Sequence, residues 1–205
     1  MKVAVVGGTG SFGSAVAKQL ADAGFDVVIG SRDAERAREA AEPLGAEGAT
    51  NEDAVRGVDL VLLAVKAEAA VDTARELAAA IGSTPVLSVA AELSFGPGGV
   101  KPTAESTSVA QRVQDVVQAP VVAGLHSLAA ASLAGEPPDE DALVCGDDPD
   151  AKALALDLAA RLVSGRAVDA GPLASARALE GMTAVIVNVN KRYKAHAGLR
   201  VTGLK

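Results

Sequence analysis

The sequence predicts an α/β fold built around a doubly wound parallel sheet, followed by a small C-terminal α/β subdomain. The first observation is alternation: β-branched runs at Lys2–Val6 and Asp26–Ile29 are each followed by helical periodicity, at Ser11–Ala23 and Asp33–Leu44. The second is Leu60–Val65, which is almost wholly apolar, as is typical of a strand covered on both faces. Together they indicate strands that lie parallel in one sheet with helices on both sides.

The rest of the chain continues the alternation. The further predicted elements are a weak strand at Gly45–Thr50, a helix at Ala69–Ile81, a strand at Pro85–Val89, a helix at Ser106–Val117, a strand at Pro120–Leu125, a β-α-β unit at Leu143–Cys145, Pro149–Leu162 and Arg166–Val168, and a helix from Leu173 to about Tyr193. The last helix carries an apolar stripe of Leu179, Met182, Ile186 and Val189. We expect residues 1–122 to form the first domain and residues 123–205 the C-terminal subdomain.

One long connection interrupts this pattern. Ala90–Glu105 contains the glycine-rich run Phe95–Gly99 and is longer than ordinary connections between elements. We therefore expect an irregular loop there that is either mobile or functional, and a lid over a ligand fits that description.

Composition and charge exclude several classes of function. A chain of 205 residues with a formal net charge of -7 is unsuited to general nucleic-acid binding, because the phosphate backbone is bound by positive surface. No segment has enough consecutive apolar residues to span a bilayer, and Met1 leads directly into a strand, so we expect a cytoplasmic protein. The single cysteine, Cys145, suits a reducing compartment. His126 and His196 lie far apart, and we expect no metal site.

A glycine-rich turn follows the first predicted strand and precedes the first helix. It reads Gly8-Thr9-Gly10-Ser11-Phe12-Gly13. In such a turn Gly8 permits the sharp bend, Gly10 lets the backbone approach a pyrophosphate, and Gly13 allows close packing of helix and strand. The helix N-terminus adds amide donors, and the hydroxyls of Thr9 and Ser11 can add more. This context indicates a Rossmann-type dinucleotide site; the alternative is a glycine-rich turn that binds nothing.

The residues after the second predicted strand identify the dinucleotide. NAD enzymes usually place an Asp or Glu there for the ribose hydroxyls, whereas this chain has Ser31 and Arg32. A hydroxyl and a guanidinium favour a 2′-phosphate, and Arg36 lies one helical turn further on the same side. We therefore expect NADP(H). The alternative is that Arg32 and Arg36 are solvated and paired with Asp33 or Glu35.

Few residues offer further chemistry. The tyrosine–lysine pair of short-chain dehydrogenases is excluded, because the only tyrosine is Tyr193 and position 197 is Ala197. His126 closes an apolar strand, at the edge of the sheet where ligands bind in open α/β folds, but a lone histidine there is as often structural. From Lys191 to Lys205 the chain carries five positive charges and no acidic residue, which suggests an anionic ligand or neighbour. Favourable interaction with the helix dipole is the alternative, and it explains only the charges up to Lys194.

These features resemble those of one family, the NADPH-dependent reductases of the 5-deazaflavin coenzyme F420, or NADPH:F420 oxidoreductases. The resemblance runs nearly end to end. Its strongest parts are Gly7–Gly10, Gly30–Asp33, Leu143–Asp148, Asp169–Leu173 and Asn188–Gly198. The last of these is long and unusual enough that chance is a poor explanation.

The resemblance implies that NADP(H) lies on the glycine turn with the deazaflavin ring stacked near the nicotinamide. A hydride would then pass directly between the nicotinamide C4 and the deazaflavin C5, which requires two rings held face to face without water and no catalytic dyad. The family pattern places His126, Ser127, Thr183 and the segment Gly198-Leu199 beside the deazaflavin. It also implies a homodimer formed through the C-terminal parts of the chain.

Two segments depart from the family pattern. Where the family shows a proline, an aromatic residue and a histidine, this chain has Val65–Ala69, and where the family has prolines it has Val89–Leu93. Both loops should line the nicotinamide side of the cleft. The residues expected to do so are Ala64, Val65, Lys66 and Ala91. The departures keep two alternatives open: another NADP-dependent reductase, acting on an imine or a carbonyl, and an NADP(H) sensor without enzymatic activity.

Overall fold

The computed structural model describes residues 1–204, in which a sheet of eight strands is covered by helices on both faces. The strands are β1 (Lys2–Val6), β2 (Asp26–Ser31), β3 (Glu47–Thr50), β4 (Leu60–Leu63), β5 (Val86–Ser88), β6 (Leu93–Gly96), β7 (Gly99–Pro102), β8 (Val121–Gly124), β9 (Ala142–Gly146) and β10 (Ala167–Asp169). The α-helices are α1 (Ser11–Asp22), α2 (Ala34–Ala41), α3 (Asn51–Ala54), α4 (Ala67–Ile81), α5 (Val109–Gln114), α6 (Pro149–Leu162) and α7 (Ala176–Tyr193). Short 3-10 turns occupy Glu42–Leu44, Ser132–Ala134 and Leu173–Ser175.

The order of the strands confirms the Rossmann-type prediction. In the large sheet the order is β10-β9-β8-β5-β4-β1-β2-β3, and the strands from β3 to β8 are all parallel. The carboxyl ends of β1, β2, β4, β5 and β8 therefore lie along one edge, which is where open α/β sheets bind ligands. Apolar residues on the two faces form separate cores, one against α4, α5 and α7 and the other against α1, α2 and α6.

The C-terminal strands differ in direction from the rest. β9 pairs with β8 in antiparallel fashion, and β10 pairs with β9 in parallel, through the predicted β-α-β unit. All three strands belong to the same sheet as the N-terminal ones, so the sheet continues across residue 122. The division into two domains at that residue stays a prediction.

The prediction of an irregular loop at Ala90–Glu105 is wrong, because this segment contains the antiparallel hairpin of β6 and β7. Gly99 adopts a φ of 101° at the turn, a conformation that favours glycine. The hairpin is held by α7: Asn188 accepts a hydrogen bond from the amide of Val100 at 2.8 Å and donates one to the carbonyl of Val100 at 2.6 Å. These partners lie far away in the chain, which is why local pattern did not reveal the hairpin.

The helix α7 carries residues that lie at one end of the candidate site. It begins at Ala176 after a 3-10 turn, slightly later than predicted. Of the predicted apolar stripe, Leu179 is buried, while Met182 and the residues beyond it are only half-buried. Glu180 is fully buried and accepts hydrogen bonds from the first two amides of α5, at 3.0 and 3.2 Å. No helix in residues 1–204 has the length and apolarity that a membrane span requires.

Candidate functional site

The glycine turn between β1 and α1 is closely packed. Its left-handed residue is Gly7, with a φ of 82°, and not Gly8, to which the sequence analysis assigned the sharp bend. A Cβ on Gly8 would lie 2.9 Å from the side chain of Ile29 and from a backbone oxygen of β1. A Cβ on Gly13 would lie 2.5 Å from the carbonyl oxygen of Gly7. Gly8 and Gly13 thus pack closely against other parts of the protein, while Thr9 and Gly10 line a cavity.

That cavity, which we call the cofactor cavity, has a volume of about 390 Å³ and lies at the carboxyl edge of the sheet. It unites the turn, the end of β2 and the start of α4. Most of the residues predicted to bind NADP(H) line it, namely Thr9, Gly10, Ser31, Arg32, Arg36, Ala64, Val65 and Lys66. Gly7, Asp33, Asn51, Ala69 and Thr73 complete the lining.

The charges of the cofactor cavity suit an anion. Within residues 1–204, neither Arg32 nor Arg36 forms a salt bridge. The carboxylate of Asp33 is occupied elsewhere, because it caps α2 by accepting hydrogen bonds from the amides of Glu35 and Arg36 at 2.9 and 3.3 Å. The pairing of these arginines with Asp33 or Glu35 is therefore absent here, and both guanidinium groups are available to a phosphate.

Asn51 and Thr73 line the cofactor cavity although sequence reasoning missed them. The Oδ1 atom of Asn51 is buried and has no hydrogen-bond partner in residues 1–204. Asn51 directly follows β3 at the carboxyl edge of the sheet, so its place after a strand was the signal that could have revealed it. A buried acceptor without a partner is costly, and a donor group of a ligand would satisfy it.

A second cavity of about 360 Å³, the ring cavity, adjoins the first. The two share Gly10, Ala64, Val65 and Lys66. The ring cavity is mainly apolar, with walls from Phe12, Val65, Val89, Leu93, Leu125 and Leu128, and it also includes Ser11, Ala67, Ala90, Ala91, His126 and Thr183. Two connected cavities, one cationic and one apolar, can hold a dinucleotide and a second flat ring next to each other.

His126 is the buried ionisable group of the ring cavity. Its side chain is 6% exposed, and burial lowers its pKa to about 4, so the imidazole is neutral at pH 7. Its Nε2 lies 3.3 Å from the carbonyl oxygen of Ala90. Because a carbonyl can only accept, Nε2 carries the proton and Nδ1 is left as an acceptor. That Nδ1 is buried and has no partner in residues 1–204.

The backbone at His126 is held in an unusual conformation. The preceding residue, Leu125, has a φ of 65°, which is rare for a leucine and typical of strained backbone near functional sites. From α7, Thr183 donates a hydrogen bond to the carbonyl oxygen of His126 at 2.8 Å. The structure thus brings together His126, whose position after a strand left its role open, and Thr183, which was predicted only from the family resemblance.

The other residues predicted beside the deazaflavin lie outside both cavities. Ser127 is buried and donates a hydrogen bond to the carbonyl oxygen of Asp141 at 3.4 Å. The amide of Asp141 in turn donates to the carbonyl oxygen of Leu199 at 2.6 Å. Ser127 and the segment Gly198-Leu199 are therefore neighbours of the same residue, but neither lines the ring cavity. Their contact with a deazaflavin stays a prediction.

The basic tail is partly neutralised within the chain. Arg200 forms ion pairs with Asp139 and Asp141, and the amide of Val201 donates to the buried carboxylate of Asp141 at 2.8 Å. Hydrogen bonds from Arg166 hold the pKa of Asp141 far below its usual range. Intramolecular pairing thus accounts for the charge of Arg200, which the helix dipole alone did not, and Lys205 lies outside the described residues.

One of the two departures from the family pattern has a structural role. Glu92, at the start of the hairpin segment, accepts hydrogen bonds from Arg112 at 2.7 Å and from Thr103 at 3.2 Å. It thereby ties the base of the hairpin to α5. The other departure, Lys66, precedes α4 and lines both cavities.

Comparisons with known proteins agree with this geometry. A family model described as NADP oxidoreductase, coenzyme F420-dependent, matches residues 2–92. The F420-dependent NADP reductase of Methanocaldococcus jannaschii is 34% identical, and the alignment covers the whole of both chains. The enzyme of that name from Methanothermobacter thermautotrophicus is 33% identical over this entire chain and 96% of its own.

The chain belongs to the family of F420-dependent NADP reductases. A crystal structure of a candidate F420-dependent NADP reductase from Arthrobacter sp. FB24 has the same fold, with a TM-score of 0.83 and 26% identity over 99% of this chain and all of that one. The residues matched by the family model include all that line the cofactor cavity, whereas His126 and Thr183 of the ring cavity lie beyond them. The two relatives named above align with the whole of this chain, so the similarity covers the residues of both cavities.

Proposed function

We propose that this chain transfers a hydride directly between NADP(H) and the deazaflavin coenzyme F420. The observation that carries the proposal is the pair of cavities that meet at Gly10, Ala64, Val65 and Lys66. NADP(H) would occupy the cofactor cavity, with its 2′-phosphate at Arg32 and Arg36 and its nicotinamide at the junction. The deazaflavin ring would fill the ring cavity, so that the two reacting carbons face each other where both cavities open into one another.

The chemistry needs only that arrangement. The C4–H bond of the dihydronicotinamide breaks, its electron pair and hydrogen form the C5–H bond of the deazaflavin, and a solvent proton completes the reduced ring. The apolar walls exclude water from the two rings and hold them at reacting distance. NADP(H) supplies or accepts the hydride, and the protein supplies position and electrostatics.

His126 is proposed as the residue that orients the second ring. Its neutral imidazole offers Nδ1 as a buried acceptor without a partner in residues 1–204, and the deazaflavin pyrimidine carries a ring N–H donor. A hydrogen bond between them would satisfy both groups. Reduction of an imine or carbonyl would need a proton donor at the acceptor atom, and a histidine with a pKa of about 4 is a poor acid at pH 7. This favours the two-coenzyme reaction over that alternative.

The expected homodimer belongs to the same proposal. Three large apolar side chains are unusually exposed on α7 and the hairpin, with Phe95 at 68%, Val185 at 58% and Tyr193 at 70%. Exposed apolar side chains of this size are typical of an interaction surface. A second copy of the chain is the partner that the family resemblance implies, and the cytoplasmic location also stays a prediction.

The test is to mix the purified protein with NADPH and oxidised coenzyme F420 and follow the loss of the visible absorbance of the deazaflavin. We expect loss of that absorbance at a rate proportional to the protein concentration, and much less with NADH. Binding of NADPH without any reduction of coenzyme F420, at every pH and salt concentration tried, would refute the proposal and favour the sensor alternative.

A further inference from the structure

Lys66 is the one residue with a permanent charge among those that line the ring cavity. It stands at the junction, since it lines the cofactor cavity as well. The remaining ring-cavity residues are apolar or neutral, including His126, whose buried imidazole is uncharged at pH 7. Among the residues that line the ring cavity, Lys66 therefore supplies the single formal positive charge that can stabilise an anion.

The ammonium group of Lys66 has no other task in the described part of the chain. Lys66 occupies the N-cap position of α4, but its side chain makes no capping hydrogen bond. It is exposed and forms no salt bridge in residues 1–204. The acid of the neighbouring loop, Glu92, is already engaged by Arg112 and Thr103.

The two cavities contain different numbers of positively charged side chains. The cofactor cavity has Arg32 and Arg36, and the amides of the glycine turn and the start of α1 can bind a pyrophosphate there. The loss of Lys66 would leave that cavity with both guanidinium groups. The ring cavity would be left with none. Removing Lys66 should therefore affect the ligand of the ring cavity more than NADP(H), because only the ring cavity would lose all its positive charge.

We propose that Lys66 is a specificity-determining residue that binds negative charge on the second substrate. This inference rests on the proposed function, because it takes that substrate to be an anionic deazaflavin. The negative charge can lie on the conjugated ring itself or on its side chain, which carries a phosphate and carboxylates. Both sources have the same chemistry, an anion paired with an ammonium group at the edge of an apolar cavity.

The experiment is a fluorescence titration of the NADP⁺-loaded protein with oxidised coenzyme F420, in which no turnover can occur. We expect Lys66→Met to raise the Kd of coenzyme F420 by about tenfold, the size of a charge-assisted contact. Lys66→Arg, which keeps the charge, should recover most of the affinity. Lys101→Met removes another exposed lysine that lines neither cavity and should change nothing.

A second titration, with the phosphate-free deazaflavin chromophore, separates the two sources. An equal loss for this probe would place the charge on the ring, and a loss seen only with coenzyme F420 would place it on the anionic side chain that the probe lacks. An unchanged Kd for both probes in Lys66→Met, or a loss confined to NADPH binding, would overturn the role of Lys66 while the wild-type chain still reduces coenzyme F420. If the wild-type chain binds neither probe, the proposed function itself fails and this inference with it.

Discussion

The cofactor cavity and the ring cavity are built in different ways. The first takes all its residues from the stretch between Gly7 and Thr73, and its charged groups lie in or just before the helices that follow β2 and β4. The second joins segments from Gly10 to Thr183, and its walls are mostly apolar. One cavity is thus a local consequence of the β-α-β order, whereas the other depends on how α7 and the hairpin dock against the sheet.

Because the two cavities are built differently, different substitutions should disrupt each of them. The turn from Gly7 to Gly10 serves both, since it bounds the cofactor cavity and contributes Gly10 to the ring cavity. Damage at the turn should therefore abolish both sites. Damage at Arg32 or His126 should affect one cavity and leave the other intact.

The largest expected loss, in both the free energy of unfolding and NADPH binding, is that of Gly13→Val. The new Cβ would lie 2.5 Å from the carbonyl oxygen of Gly7 and 3.0 Å from the Cα of Gly8, and backbone atoms cannot rotate away. We expect a loss of about 3 kcal/mol in the free energy of unfolding, as for a severe overpacking, and no measurable NADPH binding. Urea unfolding and calorimetric titration measure the two effects.

The matched control for this variant is Gly96→Val. Gly96 lies on β6, and a Cβ there meets nothing within 4 Å. Valine at that position should leave stability and NADPH affinity nearly unchanged. If Gly13→Val unfolds at the wild-type urea concentration, the close packing of α1 against the turn is not what requires a glycine.

The next largest expected effect is a loss of stability at acid pH, caused by protonation of His126 in the ring cavity. The folded state holds the pKa of His126 at about 4, whereas an unfolded histidine has its ordinary value of 6.5, so the unfolded chain binds more protons between these values. Stability should therefore fall as the pH drops below 6.5, by up to about 3 kcal/mol near pH 4. Above pH 6.5 this contribution is constant.

His126→Gln isolates that contribution, because glutamine does not titrate. Urea unfolding at pH 7, 5.5 and 4 should show the wild-type chain losing about 3 kcal/mol more than the variant. His196→Gln, which changes the exposed histidine, should follow the wild-type curve. Parallel losses in the wild-type chain and His126→Gln would mean that the imidazole is charged without cost in the folded state, and its role as a neutral acceptor would be lost.

Elements whose partners are close in sequence were predictable. The helix α6 is an example: Asp148 caps it by accepting from the amide of Ala151 at 2.8 Å, Pro149 begins it, and it ends at Leu162 as predicted. The strands β1, β2 and β4 follow from the same kind of local signal. The hairpin was missed because its anchors, Asn188 and Arg177, come from α7. The antiparallel pairing of β9 with β8 likewise depends on tertiary packing.

The residues of the candidate site also divide into those that local sequence signals predicted and those that they did not. Residue types and their order indicated the arginines and the glycine turn of the cofactor cavity, although they assigned the bend to Gly8 instead of Gly7. No periodicity or spacing could bring His126 and Thr183 to one cavity, and only the family resemblance did so. Asn51 was missed because a single asparagine after a strand is common, and what distinguishes it is a buried oxygen without a hydrogen-bond partner among residues 1–204.

The smallest expected effect is that of Arg32→Ala, which tests whether the two cavities bind their coenzymes independently. Arg32→Ala should weaken NADPH binding by about 2 kcal/mol, roughly thirtyfold, through loss of a charge-assisted contact with the 2′-phosphate. NADH, which lacks that phosphate, should bind the variant as it binds the wild-type chain. Arg38→Ala is the matched control, because Arg38 is an exposed arginine of the following helix, α2, that does not line the cofactor cavity.

The decisive measurement is the KM of coenzyme F420 in Arg32→Ala at saturating NADPH. If the ring cavity is independent of the 2′-phosphate site, that KM and the maximal rate should remain near their wild-type values, although more NADPH is needed to reach them. Equal losses of NADPH and NADH affinity would show that Arg32 supports the fold of the cavity instead of binding phosphate. A raised KM for coenzyme F420 would show that the residues shared at the junction, Val65 and Lys66 among them, transmit the position of one coenzyme to the other.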